Sequence, residues 1–182
     1  EALDTADLFW SKADALSGIP SGYGRIGRLQ PLLSKKAVEL AEARGTSAKD
    51  LWQGRYHWQI EPRPDTMSDT AAPYGVVQDT LAGRIHPLQG TLSLAGACRA
   101  KGVQIHEKYP IHSLADNQVS GPWGDANADA IIVAAGVAGF DLIAPHTLLN
   151  PGFGIKGQAA LLDIALPHHP QIYANGVYII PH

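Results

Sequence analysis

The sequence predicts a mixed α/β (α+β) fold, and three observations carry that expectation. Apolar residues recur every three or four positions over residues 2–17, where Leu3, Ala6, Phe9, Trp10, Ala13 and Leu16 share one helical face. Short β-type runs stand between such stretches, among them the continuously apolar Ala130-Ile131-Ile132-Val133-Ala134-Ala135. Helical and extended patterns follow one another without the strict alternation of a βαβ chain, and with no internal repeat.

Taken in order, the first helix runs over 2–17 and stops at Gly18 and Pro20. A Gly-rich stretch leads to a strand around Gly27-Arg28-Leu29. Ser34 caps a second helix that ends at Gly45, and Ser47 caps a shorter one through Trp52. Residues 61–73 hold three prolines among Asp, Thr and Ser and read as a loop. Tyr74-Gly75-Val76-Val77 is a strand candidate, and Ile85-His86-Pro87 opens a helix from Leu88 to Ala100 closed by Gly102. Val103-Gln104-Ile105-His106 alternates as a strand. Ile111-His112-Ser113-Leu114 is another, with a polar turn at Asp116-Asn117 and a hairpin return over 119–128. A strand at 130–135, buried on both faces, ends at Gly136, and further strands are expected at 155–164, 172–173 and 177–180.

Charge and composition exclude several classes of function. The 182 residues carry 14 basic and 17 acidic side chains, so no positive field draws nucleic acid or an anionic membrane. No apolar run approaches the ~20 residues of a membrane span. The single cysteine, Cys98, rules out an internal disulfide framework and a cysteine-based zinc cage, and makes a cytoplasmic setting the expectation. The only methionine is Met67 and the chain closes on the apolar run Val177-Tyr178-Ile179-Ile180-Pro181. Both features read as a piece of a larger protein.

Single motifs carry little chemistry. Gly22-Tyr23-Gly24-Arg25-Ile26-Gly27 spells G-x-G-x-x-G, but a dinucleotide site needs a buried strand before it and a helix after it. Pro20 and Pro31 deny both, so the segment reads as a loop. The eight histidines show no metal-ligand spacing, and no metal is expected. No G-x-S-x-G elbow supports a nucleophilic serine. The four tryptophans are scattered and read as core or interface residues.

A compound pattern runs from residue 83 to 180. Gly83-Arg84-Ile85-His86-Pro87 precedes a helix, then come Gly102-Val103-Gln104-Ile105 and Tyr109-Pro110-Ile111. A hairpin follows, then Ala128-Asp129-Ala130-Ile131-Ile132-Val133-Ala134-Ala135-Gly136, Gly154-Ile155-Lys156-Gly157-Gln158 and Val177-Tyr178-Ile179-Ile180-Pro181. This order resembles the FAD-dependent amino-acid oxidase family, which contains D-amino acid oxidase, glycine oxidase and sarcosine oxidase; the pattern is glycine oxidase-like. The resemblance covers about 95 residues well and residues 1–82 loosely.

The resemblance implies the middle portion of a two-domain FAD/NAD(P)-binding-type flavoprotein, without its N-terminal Gly-rich βαβ unit. Residues 1–24 and 81–148 would belong to the FAD-binding domain, and 25–80 and 149–182 to the substrate-binding domain. FAD is the implied cofactor, contacted by the backbone of Ile111 at its adenine end and by the Ala135–Gly136 turn. Tyr178 matches a tyrosine whose hydroxyl reaches the substrate carboxylate; a core tyrosine is the plain alternative. Val137-Ala138-Gly139 and His182 depart from the Trp-Ser and the arginine that the family usually shows. The implied partner is a small-molecule amine or amino acid, with homo-oligomerisation left open. The implied reaction is oxidation of its C–N bond by hydride transfer to flavin, by an oxidase or a dehydrogenase. A non-catalytic binding module of the same fold, and the flavin domain of a tRNA-modifying enzyme, stand as alternatives.

Overall fold

Helical periodicity at the N-terminus becomes α1 (Ala6–Ser17), which ends where Gly18 turns left-handed at φ +69 and donates its N–H to Asp14 O. The structure is a computed structural model; it describes residues 5–147, 151–164, 166 and 169–182. These form two units, Glu1–Gln104 with Asp163–His182, and Ile105–Leu162.

In the first unit α1 packs on α3 (Pro87–Ala100), whose first residue is the proline and whose N-cap is His86, its Nδ1 accepting the Gln89 N–H. Small residues let the two helices close: a Cβ at Gly96 would stand 2.8 Å from Ser17 Cβ. Polar atoms fill the crossing. Ser21 and Ser93 are fully buried, and Asp14 accepts the Ser93 hydroxyl at 2.8 Å and the Ser21 hydroxyl and N–H at 3.0 Å each.

Five strands form one sheet. β1 (Arg28–Pro31) pairs antiparallel with β3 (Val76–Asp79), which β2 (Trp58–Glu61) flanks, and parallel with β7 (Gln171–Ala174). β8 (Val177–Ile179) returns along β7 through Asn175-Gly176, both left-handed, as a two-residue hairpin turn requires. The order is β2-β3-β1-β7-β8. Alternation sends Val76 and Val77, both nearly inaccessible, to opposite faces. Val77 joins Leu32 and Ala41, the latter from α2 (Lys35–Leu51), whereas Val76 joins Leu29, Met67 and Ala72. The 61–73 loop is thus more than a connection, since its Met67 and Ala72 cover one face of the sheet.

Two expectations change here. A single α2 replaces the pair of helices split at Gly45, because Gly45 provides clearance rather than a stop: a Cβ there would lie 3.3 Å from Trp58 O. β2 arises where no strand was expected. Ser34 does cap α2, accepting the Ala37 N–H at 3.1 Å. Ser34→Ala is expected to lower stability by about 1 kcal/mol in a urea titration, with an unchanged m-value.

The second unit contains an antiparallel meander of β4 (Ser113–Ala115), β5 (Gln118–Gly121) and β6 (Gly124–Asn127), turning at Asn117 with φ +63. A 3-10 turn at Gly136–Ala138 leads into the short α4 (Gly139–Ile143). Strands expected at 103–106, 130–135 and 155–164 are irregular instead; Ile132 is 90% and Leu161 97% exposed. None of these runs meets a ladder partner among the described residues, and extended backbone without one is not a strand. Among the described residues no helix is long and apolar enough to cross a membrane.

Candidate functional site

Residues 109–114 and 131–135 are both largely apolar, and α4 closes the space beside them. Together they line an open cavity of about 820 Å3 within the second unit. Ile111 and Ala135 both line it, with Leu114, Val119 and Ile132 supplying aliphatic wall. Two residues singled out separately in the sequence thus come together. Gly136 is not part of the lining; it follows Ala135 at φ +57, and a Cβ there would meet open space. His112 and Asp141 add polar side chains to the same cavity, and neither was foreseen. Asp141 stands in an unremarkable VAGFDLI stretch where no spacing marks it.

Tyr178 lies in the other unit. On β8 it sits directly opposite Tyr173 of β7, the two rings 4.5 Å apart between centroids and tilted by 36°, and it is half exposed. Asn175-Gly176 between alternating apolar residues is the sequence signal that would have paired the two tyrosines. The pairing register β1–β7–β8 puts Arg28, Gln171, Tyr173 and Tyr178 on one face of the sheet. Arg28 is held there by an ion pair with Asp79 at 2.8 Å.

His182 packs edge-on against His86 with ring centroids 5.1 Å apart, and the Arg84 guanidinium donates to Pro181 O. Burial, then the His86 and Arg84 charges, hold the His182 imidazole below its ordinary value. The Gly22–Gly27 stretch is a loop. Gly24 bridges Arg84, and a Cβ on Gly27 would lie 2.9 Å from Asp79 O. A Cβ on Gly22 would likewise stand 3.0 Å from His86 Cβ, so Gly22 and Gly27 serve close approach of the chain. Of the adjacent histidines, His168 lies outside the described residues; His169 Nε2 stands 3.3 Å from Thr66 Oγ1. Among the described residues no three His, Cys, Asp or Glu side chains gather to hold a metal ion.

Residues 2–182 match the family described as FAD dependent oxidoreductase (DAO). The chain belongs to this FAD dependent oxidoreductase family. FAD is therefore the cofactor of its family. Solved structures of similar fold include glycine oxidase from Geobacillus kaustophilus, at TM-score 0.75 and 16% identity, covering 99% of this chain and 50% of that one. L-proline dehydrogenase from P. horikoshii gives TM-score 0.67 at 12% identity, over 95% of this chain and 49% of that one. L-amino acid deaminase from Proteus myxofaciens gives 0.59 at 16%, over 92% and 40%. The chain spans about half the length of the first two of these structures. No curated protein matches. In a family member, the cavity of the second unit has a make-up that suits part of FAD: aliphatic walls, space within the range of small-molecule sites, and a glycine turn open at its edge.

Proposed function

We propose that these residues form the middle of an FAD-dependent oxidoreductase that oxidises the C–N bond of an amino acid or secondary amine. The observation that carries this reading is the shared cavity of Ile111 and Ala135 in a member of an FAD-dependent family. In this reading Ile111 backbone and the Ala135–Gly136 turn hold the cofactor, and Tyr178 donates its hydroxyl to the substrate carboxylate. Bound flavin supplies the hydride acceptor; the chain's share is positioning, exclusion of water and capture of the carboxylate. No side-chain base is required.

The division into an FAD part (1–24 and 81–148) and a substrate part (25–80 and 149–182) belongs to the same proposal. All five strands of the larger sheet fall within 25–80 and 149–182, which supports it. A cytoplasmic setting is also part of the proposal and rests on the lone cysteine.

The test uses the full-length polypeptide that carries these residues. It is expected to be yellow, with flavin absorption bands that an amine or amino-acid substrate bleaches without oxygen. A folded, colourless protein would overturn the proposal. Tyr178→Phe is expected to raise KM for a carboxylate-bearing substrate about tenfold with kcat nearly unchanged, as removal of one hydrogen bond to a charged group predicts. Equal kinetics for the variant would return Tyr178 to a structural role beside Tyr173.

A further inference from the structure

We draw no further inference here: the strongest candidate, the apolar outer edge of the larger sheet along β8, where Val177, Tyr178 and Ile179 are exposed, carries nothing because nothing among the described residues shows what covers it.

Discussion

Asp14→Ala is expected to destabilise the first unit by about 3 kcal/mol, read as a lowered urea midpoint. Ser21 and Ser93 are fully buried, and both of their hydroxyls end on the Asp14 carboxylate. Alanine takes the carboxylate from the Ser21 hydroxyl and N–H, and leaves the Ser93 hydroxyl only Ser17 Oγ at 3.2 Å as a partner. The same carboxylate makes the effect pH-dependent. Desolvation pushes the Asp14 pKa up, but the hydrogen bonds from the Ser21 N–H, the Ser93 hydroxyl and the Ser21 hydroxyl together hold it below its ordinary value. A lowered folded-state pKa means that this contribution is fully present above the unfolded carboxyl value, about 3.9, and is lost as pH falls through the folded one. Wild type should therefore shed stability below about pH 4 that D14A has already lost, and the two urea midpoints should converge there. Parallel pH curves would show that the carboxylate does not hold the crossing together.

Gly75→Ala should cost a similar amount, about 3 kcal/mol, and act on the sheet instead of the helix pair. Gly75 has φ +88, where an L side chain is strained, and its added Cβ would stand 2.6 Å from Glu61 O. Its backbone has no freedom to yield. The carbonyl accepts the Leu32 N–H at 2.9 Å, and the N–H donates to Ala72 O at 3.1 Å. The clash falls at the Glu61–Val76 end of the β2–β3 ladder, so amide exchange of Val76 and Val77 should quicken first. Exchange that quickens equally in α1 and α3 would contradict a local origin.

Local chemistry was legible in the sequence wherever neighbours in the chain settle it. Gly18 and Gly102 end helices as read, Ser34 caps one, and the Asp116-Asn117 turn opens a meander strand. Gly45 misled because a helix stop and a close strand crossing ask for the same absent Cβ. The alternating run at 103–106 and the continuously apolar run at 130–135 misled because an apolar pattern expresses a capacity to pair, and pairing needs a second strand.

The family and the mixture of helices with strands were there to be read from motif order, which is a one-dimensional property. Chain folding alone put Ile111 beside Ala135 and Tyr173 against Tyr178, and brought Asp141 to the cavity wall. Such meetings depend on loop closure and packing between segments far apart in the chain, and no local preference of φ, ψ or hydropathy encodes where those segments come to rest.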